Sequence, residues 1–120
     1  MSIQSTFKRF QPMAARVAVY VPGTVGAVNA DNDAAARMVE HVAGRLSALF
    51  GGATATDAAG FWMSDAAGLV SDFVRIVYSN TTPDALDAAA PEILAIAEHV
   101  KSEMRQEAVS VEINGALYII

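Results

Sequence analysis

The side chains best suited to chemistry in this chain are aromatic and cationic residues in strand-like segments. Tyr20, Trp62 and Tyr78 each fall in or at the end of such a segment, and Arg75 lies three residues before Tyr78. If Tyr20, Trp62 and Arg75 share a sheet face, they form an aromatic and cationic platform that stacks a planar or anionic small molecule. We therefore predict ligand contacts at Tyr20, Trp62, Arg75 and Tyr78, although a lone Trp beside Phe61 is more typical of a structural plug.

Residues of the common catalytic and metal-binding types are few and scattered. His41 and His99 are the only histidines, and a helical metal site needs more than the single candidate pair that they offer, His99 with Glu103 four residues later. The absence of cysteine removes thiolate nucleophiles, disulfides and cysteine-ligated metals. No G-x-S-x-G turn is present. The sequence thus predicts no catalytic residue, no cofactor and no metal, while leaving open an acid or base assembled from Asp57, Asp72, Glu107 or Tyr78.

Composition narrows the class of protein. The chain has 120 residues, 53% of them hydrophobic, which predicts one domain with a single core. A net charge of −5 with scattered basic residues argues against nucleic-acid binding. No window is apolar for long enough to span a membrane or serve as a secretory signal, so we expect a soluble, cytoplasmic protein.

The elements that must position these residues follow from periodicity. Residues 1–13 read as an N-terminal tail and residues 14–120 as one domain. Apolar alternation predicts strands over residues 16–22, 53–63 and 69–79, and helical spacing predicts two helices, beginning at Asp31 or Asn32 and at Thr82. Pro91 predicts a kink or split in the second helix near Ala90.

The end of the chain carries the clearest local signal. Residues 107–120 (EAVSVEINGALYII) alternate around Asn114-Gly115, a pair typical of a two-residue hairpin turn. The resulting order, β-α-β-β-α-β with an added strand, predicts an α+β fold of the ferredoxin-like type: an antiparallel sheet with both helices on one face and an added C-terminal hairpin strand.

The second face of that sheet is predicted to be apolar. On this face, strands one and three are predicted to carry Ala18, Tyr20, Leu69, Phe73 and Val77. A patch of this kind on a small protein marks an interaction surface, and a second copy of the sheet is its simplest cover. We therefore expect a homo-oligomer, dimer or higher, whose interface contains Phe73, Val77, Leu117 and Ile119.

Two segments also resemble a family of small bacterial proteins of unknown function. They are residues 55–78 (ATDAAGFWMSDAAGLVSDFVRIVY), with a strand ending in an aromatic after a glycine and a long second strand, and residues 106–109 (QEAV), with a Gln-Glu pair opening the last strand. The resemblance covers about half of the chain. It implies a ferredoxin-like fold and no particular activity.

The sequence favours a non-enzymatic, self-associating binding domain of unknown ligand, with a small molecule as a candidate partner. One alternative is a small enzyme of the dimeric α+β-barrel type, in which Tyr20, Trp62, Tyr78 or His41 contacts an organic substrate. A second alternative is an accessory or inhibitor protein that masks a protein partner. An enclosed pocket would favour the enzyme.

Overall fold

A computed structural model describes residues 1–26, 28–29 and 32–120 of the chain. Its helices are α1 (Ile3–Phe7), α2 (Asn32–Phe50), α3 (Pro83–Ala88) and α4 (Ala90–Glu103). Its strands are β1 (Ala15–Pro22), β2 (Thr24–Val25), β3 (Val28–Asn29), β4 (Thr54–Ser64), β5 (Gly68–Thr81), β6 (Ser110–Ile113) and β7 (Ala116–Ile119). Asp31, one of the two predicted starts of the first long helix, lies outside the described residues.

Five strands form one antiparallel sheet in the order β4-β5-β1-β6-β7. The predicted α+β class is therefore confirmed, and three predicted strands lie within one or two residues of their observed ends. β1 occupies the centre because its run of β-branched residues is buried: Val17, Val19 and Val21 are inaccessible to solvent.

The core lies between this sheet and the helices α2, α3 and α4. Val42 and Leu46 of α2 and Ile96 and Val100 of α4 are fully buried against the valines of β1. These helix residues recur at spacings of four, which places them on one stripe of each helix. The polar residues between them face outward, so the helices cover one face of the sheet only.

The second helical region is divided where Pro91 predicted a break. α3 ends at Ala88, Ala89 leaves the helical conformation (φ −92°, ψ 3°), and α4 begins at Ala90 with Pro91 in its first turn. The start of α3 also follows the sequence, because Thr82 Oγ1 accepts a hydrogen bond from Ala85 N at 3.3 Å.

The C-terminal hairpin forms as predicted. Asn114 and Gly115 both have positive φ, 51° and 85°, as a type I′ turn requires. The turn is joined to the central strand, since Asn114 Oδ1 accepts from Arg16 N at 2.8 Å and Asn114 N donates to Arg16 O at 2.9 Å. β7 pairs with β6 and forms the edge of the sheet.

The hairpin of β4 and β5 extends beyond the rest of the sheet. β1 pairs with β5 only as far as Pro22 opposite Val74, whereas β4 and β5 continue to pair up to Ser64 opposite Gly68. The projecting part, residues 60–72, is called the arm below. It exposes large apolar side chains on both of its faces: Phe61, Trp62, Met63 and Leu69.

The strand register corrects the predicted composition of the second sheet face. Val77 lies opposite Val19, and cross-strand partners point to the same face. Leu69, Phe73 and Val77 therefore share the helix-covered side and lie opposite to Ala18 and Tyr20. Val77 is fully buried in the core, so its predicted exposure at an oligomer interface is wrong. The error arose because alternation within each strand does not reveal which faces coincide.

No helix among the described residues is long and apolar enough to cross a membrane.

Candidate functional site

The sheet face opposite the helices carries a group of four large polar side chains around Ala18, which we call the tyrosine cluster: Arg16, Tyr20, Tyr78 and Glu112. Ala18 pairs with Tyr78 of β5 on one side and with Glu112 of β6 on the other. Arg16 and Tyr20 lie two residues before and after Ala18 and so point to the same face. Ala18 itself is only 1% exposed, because the surrounding side chains cover this small residue.

A hydrogen bond joins the phenol of Tyr20 to the carboxylate of Glu112. Tyr20 OH donates to Glu112 Oε2 at 3.2 Å. The pKa of Tyr20 is raised above the ordinary value of a phenol, first by burial and then by the hydrogen bond to Glu112 and the charge of that carboxylate, with Arg16 opposing the shift. Tyr20 therefore keeps its proton near neutral pH and acts as a donor rather than a base.

A cation–π contact forms the other half of the cluster. The guanidinium carbon of Arg16 lies 3.8 Å from the ring centroid of Tyr78. This stacking fixes a flat, positively charged surface beside the Tyr20–Glu112 pair. Such a surface suits the face of a planar ring or an anionic group.

A depression of about 170 Å³ borders the cluster next to Tyr20. Its polar lining comes from Asp72, Gln106 and Ser110. Gln106 is fixed by its own bonds, because its Nε2 donates to Thr24 O at 3.0 Å and to Met104 O at 2.8 Å. A cavity of roughly 150 Å³ holds one benzene-sized ring, so this depression has room for a single ring.

The predicted ligand residues are divided by the fold. Tyr20 and Tyr78 belong to the tyrosine cluster. Trp62 points to the same face but pairs with Val70 on the arm, eight residues along β5 from Tyr78, or roughly 26 Å at the strand rise. Trp62 is therefore too far from Tyr20 and Tyr78 to share one platform with them.

Arg75 departs furthest from the prediction. It pairs with Val21, which places it on the helix-covered side, away from Tyr20. There its Nε lies 3.3 Å from Asp57 Oδ1, and it lines a cleft of about 530 Å³ near the start of α2. The carboxylate of Asp57 partly neutralises this guanidinium and reduces its attraction for an anionic ligand.

Two members of the cluster, Arg16 and Glu112, were not predicted from the sequence. Glu112 occupies a polar position in the alternating strand between Val111 and Ile113, and a charged residue there is a signal that could have identified it. The pairing of β1 with β6, which brings Glu112 to Tyr20, requires the tertiary structure.

The two histidines also meet in a way that spacing did not indicate. The rings of His41 on α2 and His99 on α4 stack with centroids 4.3 Å apart. The pKa of His41 is lowered, chiefly by burial and then by the positive charges of His99 and Arg45, with Glu103 opposing them. Within the described part of the chain, no group of three His, Cys, Asp or Glu residues is arranged to hold a metal ion.

Two solved structures share this arrangement of a single α+β layer pair. One is a phage SAM lyase in complex with S-methyl-5′-thioadenosine, which is 15% identical, covers 92% of this chain and 91% of its own, and superposes with a TM-score of 0.63. The other is a phage SAM lyase in the apo state, with 14% identity, coverage of 89% and 88%, and a TM-score of 0.59. At these identities the similarity shows a common fold. No family model and no curated protein matches the sequence.

Proposed function

We propose that this chain is a ferredoxin-like, small-molecule-binding domain whose ligand contacts the tyrosine cluster. The ligand class that fits the cluster best is an adenine nucleoside carrying a 5′-thioether, such as S-methyl-5′-thioadenosine. The observation that carries the proposal is the placement of a carboxylate, a protonated phenol and a stacked Arg–Tyr pair on one sheet face.

The strand order supports the ferredoxin-like assignment. Leaving out the edge strand β7 and the short β2–β3 hairpin, the sheet reads β4-β5-β1-β6 with every neighbouring pair antiparallel. A chain that runs strand, helix, two strands, helix, strand reaches this order by two crossovers that place both helical layers on the same face.

The ribose and the adenine of such a nucleoside each have a matching group in the cluster. A carboxylate is the group that nucleotide-binding proteins commonly use to accept hydrogen bonds from ribose hydroxyls, and Glu112 offers one. The Tyr78 ring and the guanidinium over it provide a stacking surface for adenine. The depression sized for one ring borders the cluster at Tyr20, whose hydroxyl is hydrogen-bonded to Glu112.

Isothermal titration of the protein with S-methyl-5′-thioadenosine tests this proposal. Tyr20→Phe and Glu112→Gln remove single hydrogen-bonding functions, and each should weaken binding roughly tenfold or more, because a hydrogen bond to a charged group contributes about 1.5–3 kcal/mol. Arg75→Gln, on the opposite face, is the matched control and should bind like the wild type. Equal affinities in all four proteins, or no binding by the wild type, would overturn the proposal.

A second candidate function is catalysis on SAM itself. Two observations favour it: the fold similarity to a phage SAM lyase extends over 92% of the chain, and Tyr20 is a phenol that keeps its proton beside a carboxylate. Incubation with S-adenosylmethionine, followed by chromatographic detection of released S-methyl-5′-thioadenosine, separates the two functions. Release that disappears in Glu112→Gln would establish the enzyme, and binding without release would establish the non-enzymatic domain.

We further propose that the protein is cytoplasmic and a homo-oligomer that binds neither nucleic acid nor membranes. Leu117 and Ile119 support self-association, because they are exposed on the face of the tyrosine cluster and next to the free edge of β7. Phe73, also exposed, lies on the opposite side near the arm. Light scattering at micromolar concentration should give a mass above that of the 12.6 kDa chain, and a constant mass of one chain would contradict self-association.

A further inference from the structure

The N-terminal segment, residues 1–14, exposes a stripe of apolar side chains. Ile3, Phe7 and Phe10 follow one another at spacings of four and three, the helical pattern of a single face, and all three are more than half exposed. The hydrogen bonds of this segment are local: Ser5 N donates to Ser2 Oγ at 3.1 Å, and Phe10 N donates to Phe7 O at 2.9 Å.

The two phenylalanines form one compact unit. Their ring centroids are 5.9 Å apart and their planes are tilted by 50°. A five-residue helix such as α1 is too short to be stable alone in water, and amphipathic helices gain most of their stability from packing the apolar face. The segment therefore needs a surface on which the Phe7–Phe10 pair is buried.

An apolar groove elsewhere on the molecule has the size of such a pair. It lies between the helices α3 and α4 and the hairpin β6–β7 and has a volume of about 320 Å³. Since roughly 150 Å³ accommodates one benzene-sized ring, the groove has room for about two. Its apolar walls come from both layers, and include Leu86, Ile93, Leu94, Val111, Tyr118 and Ile120.

The charges of the N-terminal segment and of the groove also favour docking of the one into the other. Lys8 and Arg9 lie between the two phenylalanines in the sequence, and the exposed carboxylate of Asp87 lies in the lining of the groove. A segment that inserts Phe7 and Phe10 thus brings two cations towards the carboxylate of Asp87. At low ionic strength this attraction adds to the burial of the rings.

We propose that the Phe7–Phe10 pair of one copy of the chain docks into this groove of a second copy. Residues 11–14 join the pair to β1, and a residue that precedes a proline, as Gln11 does, favours an extended backbone. The groove begins at Asn114, which is hydrogen-bonded to Arg16 just after the segment. Each copy therefore presents segment and groove at the same end, and reciprocal exchange between two copies closes a symmetric dimer.

This docking deepens the self-association proposed above, so the test must separate the two. Light scattering at one protein concentration compares the wild type with Phe7→Ala/Phe10→Ala and with Leu94→Glu, which places a charge in the groove. The matched controls are Gln4→Ala/Gln11→Ala in the same segment and Ala95→Glu at an exposed position of the same helix. The two test variants should lose mass towards 12.6 kDa, and both controls should keep the wild-type mass.

A test variant that keeps the full wild-type mass overturns the docking and leaves association through other surfaces standing. A wild type that is a single chain at every concentration contradicts both proposals. Thermal melts of each variant identify any loss of mass that follows from unfolding.

Cross-linking tests the geometry independently of mass. The chain contains no cysteine, so Gln11→Cys and Ala90→Cys introduce single thiols beside Phe10 and in the groove. Oxidation of the mixed single variants should give a covalent heterodimer, whereas a mixture of Gln11→Cys with Ala48→Cys, an exposed position on α2, should not. A double variant Gln11→Cys/Ala90→Cys that closes its disulfide within one chain would show docking onto its own groove and overturn the exchange.

Discussion

Replacing Gly23 by Ala tests how closely β5 approaches the chain just after β1. Gly23 follows the last residue of β1, and a Cβ atom placed on it would lie 2.3 Å from the carbonyl oxygen of Phe73 and 3.3 Å from its carbonyl carbon. The obstacle is backbone, so it cannot be relieved by rotating a side chain. The strand β5 must move away from β1 beside the depression at Tyr20.

Overpacking of this kind costs about 1–3 kcal/mol, which for a domain of this size lowers the melting temperature by roughly 4–12 °C. Urea denaturation followed by circular dichroism measures the change in the free energy of unfolding. Gly44→Ala is the control, because a Cβ there meets nothing within 4 Å and Ala is the better helix former, so this variant should gain roughly 0.5–1 kcal/mol. If Gly23→Ala unfolds at the same urea concentration as the wild type, the close approach of Phe73 to Gly23 is wrong.

Three further predictions concern the hairpin and the histidines. Gly115→Val should cost about 1–2 kcal/mol in urea denaturation, because a β-branched residue is strained at a φ of 85°, and an unchanged midpoint would argue against the turn. Deleting residues 116–120 should lower solubility or dissociate the oligomer, since it removes β7, and a truncated chain of native mass and melting temperature would show that strand to be dispensable. The pKa of His41 is lower in the folded chain than in the unfolded one, so the unfolded state binds more protons below pH ~6.5 and stability should fall as the pH drops through that region. His41→Gln should flatten this slope, and an identical slope in the variant would refute the assignment.

The sequence predicts the turns and helix breaks correctly where one short segment determines the local structure. Asn114-Gly115 specifies its turn through φ, and Pro91 forbids a continuous helix through its missing donor and its ring. In both cases the physical cause lies within a few residues, so the sequence contains the whole argument.

The site depends on register, which the sequence does not specify in the same way. Alternation predicted two faces for β1 and two for β5, yet only the pairing of Val19 with Val77 shows which of them coincide. A shift of one residue in the pairing register exchanges the two faces of a strand. Without the register, the sequence predicted Arg75 beside Tyr20, whereas it lies beside Asp57. Glu112 and the stacked His41 and His99 depend on contacts between distant elements in the same way.

The arm shows that an apolar segment of sequence need not be buried in the core. Residues 61–63 (FWM) have the composition of a buried strand, but β1 ends at Pro22 and leaves this part of β4 and β5 without a neighbouring strand beyond the pair. Trp62 is 55% exposed for this reason. Its predicted ligand contact stays a prediction, now separate from the tyrosine cluster.

The most direct test of the proposed ligand site is a titration of isotope-labelled protein with S-methyl-5′-thioadenosine, followed by two-dimensional amide NMR. The account predicts saturable shifts that centre on Arg16, Ala18, Tyr20, Tyr78 and Glu112, with the residues of the Asp57–Arg75 pair unaffected. Shifts that centre on the groove between α4 and the C-terminal hairpin, or a spectrum that does not change at millimolar ligand, would contradict it.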